Sequence, residues 1–116
     1  MNTKIQVVET TDFAKKIASL LAQHSLLLDD YKDLKKELAE NPEKGAILTG
    51  TGGVRKIRLK SISKGKSGGF RICYFYYVFG NTIYLLFVFQ KNEMENLNTE
   101  QKTALKKIAN AFKEKK

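Results

Sequence analysis

Lys56, Arg58 and Lys60 recur at every second position, and Arg71 follows in a Gly-Gly-Phe-Arg sequence. These are the side chains best suited to chemistry in this chain. Arginine grips a phosphate in a planar fork and keeps its charge, while lysine can carry a proton to or from a reacting oxygen. Such a set suits phosphate chemistry on a polyanion. The stretch SKGKSGGFR, residues 63–71, also holds a Gly-Lys-Ser that ends like a nucleotide-binding loop. That loop requires a glycine five positions before Gly65 and a helix directly after the Lys-Ser, so that free amides face the phosphates. Lys60 occupies the first position, and Gly68, Gly69 and an aromatic, β-branched run follow the serine. The nucleotide reading fails on both requirements.

The distribution of charge points the same way as the spacing. The chain of 116 residues carries a net charge of +9, and no Asp or Glu lies between Lys44 and Asn92. That segment holds nine cations: Lys44, Arg55, Lys56, Arg58, Lys60, Lys64, Lys66, Arg71 and Lys91. The rest of the chain, with twelve basic and twelve acidic residues, is neutral. A solubilising surface mixes signs, whereas cations concentrated in one segment attract a polyanion such as nucleic acid. An edge strand decorated with lysine against aggregation would account for one strand of cations. It would not account for the missing acids around them.

Cleavage of RNA is within reach of this set. The 2′-hydroxyl of RNA can act as the nucleophile, so the protein need only take its proton, stabilise the charged phosphorane and assist the departing oxygen. No metal or cofactor is called for. Carboxylate and imidazole bases are absent from residues 44–92, and His24 lies in the helical region. A lysine remains as the base. A lysine set among cations gives up its proton more readily, and Lys56 beside Arg55 is the favoured position. Arg58 and Arg71 would hold the phosphate. His24, at the junction of two helical stretches, reads as a turn or capping residue. Cys73 has no adjacent base and reads as packing. One cysteine and one histidine exclude an internal disulfide and do not make up the His/Cys cluster of a zinc site. The N-terminus lacks the apolar core of a signal peptide, and no apolar stretch is long enough to span a bilayer. A cytoplasmic protein is expected, with no membrane association.

The elements that must position these residues follow from periodicity. Residues 4–8 read as a strand. Thr10, Thr11 or Asp12 can cap a helix carrying Phe13, Ile17, Leu20 and Leu21 on one face. A second stripe, Leu27, Tyr31, Leu34 and Leu38, runs to Asn41-Pro42, where proline ends it. A turn-like stretch from Gly45 to Gly53 leads into three β-rich runs, VRKIRLKSI, FRICYFYYVF and TIYLLFVFQ, and Asn98 or Thr99 can cap a last helix bearing Ala104, Leu105, Ile108 and Phe112. The order β-α-α-β-β-β-α predicts one α+β domain over residues 1–116, with a twisted, largely antiparallel sheet. Gly80-Asn81 reads as a two-residue turn. It would pair Phe79 with Thr82 and set Arg71 opposite Gln90. Alternation then gathers Lys56, Arg58, Lys60 and Arg71 on one face, provided that the loop at residues 61–69 brings Arg58 beside Arg71, with Lys64 and Lys66 at the rim. Tyr74, Phe75, Tyr76 and Tyr77 could stack bases, but both sheet faces are apolar there and core packing is the stronger reading.

The succession GTGGVRKIRL, SKGKSGGFRICYFYY and IYLLFVFQKNE, behind a helix that ends in Asn-Pro, resembles the RelE/HigB-type toxins of bacterial type II toxin-antitoxin modules. The resemblance covers nearly the whole chain. It implies the RelE-like fold and a messenger-RNA endonuclease, or mRNA interferase, that acts on the ribosome and arrests growth by inhibiting translation. It also implies silencing by a cognate helix-turn-helix antitoxin, with operator DNA engaged only through that antitoxin. Residue by residue, Lys56 and Arg58 match the family's alternating basic pair and Arg71 its Gly-aromatic-Arg. The family often places another basic residue beyond the last strand, where this chain has Lys91 and Asn92. The catalytic set implied is Lys56, Arg58, Arg71 and Lys91, with Arg55, Lys60, Lys64, Lys66 and Asn92 as RNA contacts. Some members stack a base on a C-terminal tyrosine, but this chain has none after Tyr84 and carries Leu97 near that place. A non-catalytic RNA-binding or ribosome-associated module would use the same face for phosphate contacts alone.

Overall fold

The computed structural model describes residues 4–60, 69–90 and 97–114. The element order is β1 (Gln6–Glu9), α1 (Thr11–Ala22), α2 (Leu28–Glu40), β2 (Ala46–Ile47), β3 (Arg55–Arg58), β4 (Phe70–Tyr77), β5 (Thr82–Gln90) and α3 (Thr99–Glu114). The expected order gains one element. Within the turn-like stretch, Ala46 and Ile47 pair with Lys56 and Arg55 as a two-residue edge strand.

Helical periodicity decides which faces are buried. On α1 the buried residues are Phe13, Ile17 and Leu20, spaced to fall on one face. The helix ends where His24 takes a left-handed φ of +56° and its N–H donates to the Leu21 carbonyl at 3.1 Å. Thr10 occupies the N-cap position, but its hydroxyl donates to the Leu85 carbonyl at 2.8 Å instead of receiving a helix amide. That bond ties the start of α1 to β5. On α2 the stripe of Tyr31, Leu34 and Leu38 is buried, and the helix stops at Asn41 before Pro42. The last helix begins with a reciprocal cap. The Asn98 N–H donates to Gln101 Oε1 at 2.9 Å, and the Gln101 N–H donates to Asn98 Oδ1 at 2.8 Å.

The five strands form one sheet in the order β1-β5-β4-β3-β2, with β1 parallel to β5 and every other pair antiparallel. Each face carries its own core. Phe13, Ile17, Tyr31, Leu34 and Leu38 pack against Ile57, Leu59, Ile72, Tyr74, Ile83, Leu85 and Val88 on one side. Leu105 and Ala109 of α3 pack against Leu48, Val54, Cys73, Phe75 and Leu86 on the other. Tyr74 also anchors the chain that leaves α2. Its hydroxyl donates to the Pro42 carbonyl and accepts the Gly45 N–H, both at 2.8 Å. A side chain at Gly45 would place its Cβ 2.7 Å from the Lys56 carbonyl oxygen and 2.8 Å from Tyr74 Oη, so only glycine fits there.

The β4–β5 hairpin corrects the expected register. Residues 78–80 form a 3-10 turn, Asn81 is left-handed at φ +49°, and Tyr77, not Phe79, faces Thr82. The Tyr77 ring packs over Gly80, where a Cβ would meet it at 2.8 Å, so the turn closes around the ring. Further along, Tyr74 faces Leu85 whereas Cys73 faces Phe87, which leaves Leu86 as the extra residue of a β-bulge. Arg71 therefore faces Phe89, and Phe70 faces Gln90.

Candidate nucleic-acid interface

Pairing across β3, β4 and β5 builds two rows. Arg58 faces Arg71, which faces Phe89; one step along, Lys56 faces Cys73, which faces Phe87. The intervening residues Ile57, Ile72 and Val88 point into the core beneath α1 and α2. Side chains alternate across a strand, so both rows lie on the opposite face, which α3 partly covers. Lys56 and Arg58 are exposed and Arg71 is half-buried. Loop closure does bring Arg58 beside Arg71, as the charge reading required. Arg71 Nη1 donates to the carbonyl of its neighbour Phe70 at 3.2 Å.

Like charges directly across a ladder destabilise a sheet. Two arginines so placed are suited to an anion with oxygens on two sides, and Lys56 stands one row away. The bulge at Leu86 is what puts Phe87 and Phe89 on this face. Without it, alternation along β5 would turn both rings to the first core.

Other cations of the segment have different duties. Arg55 was expected to contact RNA, yet its register partner is the core residue Tyr74, on the other face. Its Nη1 donates to the carbonyls of Glu43 at 3.0 Å and Gly45 at 2.6 Å, and its Nη2 lies 3.6 Å from Glu43 Oε2. The guanidinium fastens the chain after α2 to β3. Lys60 was expected beside Lys56 and Arg58, but β3 ends at Arg58 and the Lys60 ammonium turns to Glu37 of α2, 3.9 Å away. Lys44 reaches the same carboxylate at 2.7 Å. Acids from α2 and the residues after it thus oppose cations that are unopposed along the sequence. Lys64, Lys66, Lys91 and Asn92 lie outside the described residues.

Cys73 sits beneath the basic row and is fully buried. Burial pushes its thiol up to about 12, against a smaller downward pull from Lys56. A neutral thiol held this way is packing, not a nucleophile. Burial also raises Tyr74, partly offset by the Gly45 N–H bond and by Arg55. Sequence reasoning passed over Phe87 and Phe89. Their spacing, two apart with Val88 between, signals a common face, but a one-residue bulge inside an all-apolar run leaves no mark that would say which face.

A small α+β domain with cations set side by side across paired strands of its sheet is the class defined by fold and surface together. The chain matches, over residues 6–116, the family described as RelE toxin of the RelE/RelB toxin-antitoxin system, and it belongs to that family. Its structure is similar to that of a double arginine mutant of the E. coli toxin RelE in the free state, with a TM-score of 0.53 and 19% sequence identity. The likeness covers 80% of this chain and 90% of that one. It bears out the α+β fold with two N-terminal helices and one C-terminal helix.

Proposed function

We propose that this toxin is an endoribonuclease that cuts messenger RNA in translating ribosomes, and that Lys56, Arg58 and Arg71 carry the reaction. The observation behind this reading is the direct pairing of Arg58 with Arg71, one row from Lys56, on a face free of described acidic partners for Lys56. The 2′-oxygen of the RNA attacks the adjacent phosphorus and loses its proton to Lys56. The bond from phosphorus to the 5′-oxygen breaks, and that oxygen takes up a proton. The products are a 2′,3′-cyclic phosphate and a 5′-hydroxyl end, so the reaction needs neither water nor a metal in this step. Arg58 and Arg71 neutralise the charge that gathers on the phosphorane oxygens, a contribution that fixed donors make strongly. Lys91 is our candidate for protonating the leaving oxygen, and Lys64 and Lys66 for backbone contacts. Arg55, with its donors engaged by the chain after α2, has no part in this reading.

A site this small cannot by itself fix the geometry of a flexible single strand, and the ribosome would supply it. A helix-turn-helix antitoxin would cover the basic face when the toxin is held inactive in the cytoplasm. Induction in a bacterium, followed by mapping of new messenger-RNA 5′ ends, tests the reading. Translated messages should acquire new ends at in-frame positions as growth stops. Intact messages with unimpaired growth would overturn it and leave a module that only binds RNA.

A further inference from the structure

We propose that Phe87 and Phe89 are a stacking platform for the base next to the phosphate held by Arg71, an inference that rests on RNA being the ligand of the basic row. The register sets Phe89 directly beside Arg71 and Phe87 directly beside Cys73, on the face that also carries Lys56 and Arg58. Arg71 and Phe89 are direct neighbours on paired strands, whose backbones run about 4.8 Å apart. The rings lie 5.9 Å apart and are tilted by 42°. Both pack against the second core but remain partly exposed.

The space beside the rings favours a base over other occupants. Pairing of β1 with β5 stops at Glu9 and Leu85, so among the described residues no strand flanks β5 on that side from Leu86 onward. A trough of about 220 Å³ opens there, lined by Asp12, Phe13 and Lys16 of α1 and by residues 86–89. Leu86, Phe87, Val88 and Phe89 give it an apolar wall along β5, against which a flat aromatic ligand can lie, while Asp12 and Lys16 supply its polar rim. Asp12 sharpens the choice. A carboxylate repels phosphate and accepts hydrogen bonds, so it suits the amino or imino edge of a base and not a second backbone contact. Lys16, one turn along α1 from Asp12, gives the rim a cation for the backbone. Stacking of this kind tolerates every base, because each has a π-face.

Binding of two chains of equal length, a single-stranded oligodeoxynucleotide that resists cleavage and an abasic deoxyribose-phosphate chain, separates base from backbone contacts. The intact toxin should prefer the base-bearing chain. Phe89→Ala should weaken that chain roughly five- to a hundredfold, the range of single base–aromatic contacts, and leave the abasic chain unchanged. Phe89→Tyr should restore the preference, and Arg71→Ala should weaken both chains. Phe89→Leu keeps an apolar side chain in place and carries the test if the alanine variant does not fold. Equal losses on both chains, or a wild-type protein indifferent to bases, would overturn the platform. Failure of the ribonuclease reading is distinct, for it would appear as uncut ribosomal message while base-dependent binding persists.

Discussion

Arg58 and Arg71 meet across β3 and β4 with no change of sign between them, an arrangement that sheet stability alone disfavours by a fraction of a kcal/mol to about 1 kcal/mol. Neither arginine belongs to a core cluster, so removing either should leave the fold intact. Activity should fall. Loss of one preorganised contact to transition-state charge costs about a hundred- to a thousandfold in rate, so Arg58→Ala and Arg71→Ala should each lower single-turnover cleavage on programmed ribosomes by that much. Lys56 separates proton transfer from charge. Arginine keeps the charge but does not give up its proton, so Lys56→Arg should bind ribosomes normally and cut as poorly as Lys56→Ala; wild-type cleavage by it would move the base elsewhere. Cys73 gives a pH signature. Its thiol is raised from an ordinary value near 9 to about 12, so between these values the unfolded chain has lost a proton that the native state keeps. Native stability should therefore fall as pH rises from about 9 toward 12. Thiol alkylation at pH 8 should be slow in native protein and fast in urea, and equal rates would show that the thiol is not sealed in the fold.

At the level of elements, helices were legible and the hairpin was not. The stripes Phe13-Ile17-Leu20 and Tyr31-Leu34-Leu38 specify faces because polar residues separate them, and the Asn98–Gln101 cap is a local signal. In β4 and β5 both faces are buried, so alternation carries no information about register. The Gly80-Asn81 pair marked the turn, yet ring packing at Tyr77 and the bulge at Leu86 decided the pairing. The juxtaposition of Lys56, Arg58 and Arg71 on one face was readable from charge and spacing. The surroundings of Arg55 and Lys60 were not, because their acidic neighbours, Glu43 and Glu37, belong to the segment after α2 and to α2 itself. Tyr74 shows how that segment is held. Tyr74→Phe removes the donor to the Pro42 carbonyl and the acceptor for the Gly45 N–H. Leaving such groups unmade costs about 1–3 kcal/mol. Urea unfolding should show a loss of that size, and a variant as stable as the wild type would mean the segment is held by other contacts.

For the whole molecule, two cores on opposite faces of one sheet free part of the α3-covered face for cations, because only the centre of that face needs an apolar cover. The first core packs α1 and α2 against one face of the sheet. The second is built on Leu105 and Ala109 of a single helix, and none of Lys56, Arg58 and Arg71 belongs to either core. The scaffold therefore does not depend on the reacting side chains, which is why their removal should silence the protein without unfolding it. The most direct test uses ribosomes programmed with a message carrying one 2′-deoxynucleotide at the mapped cleavage position, beside the all-ribose message. The wild-type protein should cut the ribose message to a 2′,3′-cyclic phosphate, leave the deoxy message intact, and lose about a hundredfold or more in rate on Arg71→Ala. Equal cutting of both messages, or cutting by Arg71→Ala at the wild-type rate, would contradict phosphate chemistry at the Arg58–Arg71 row.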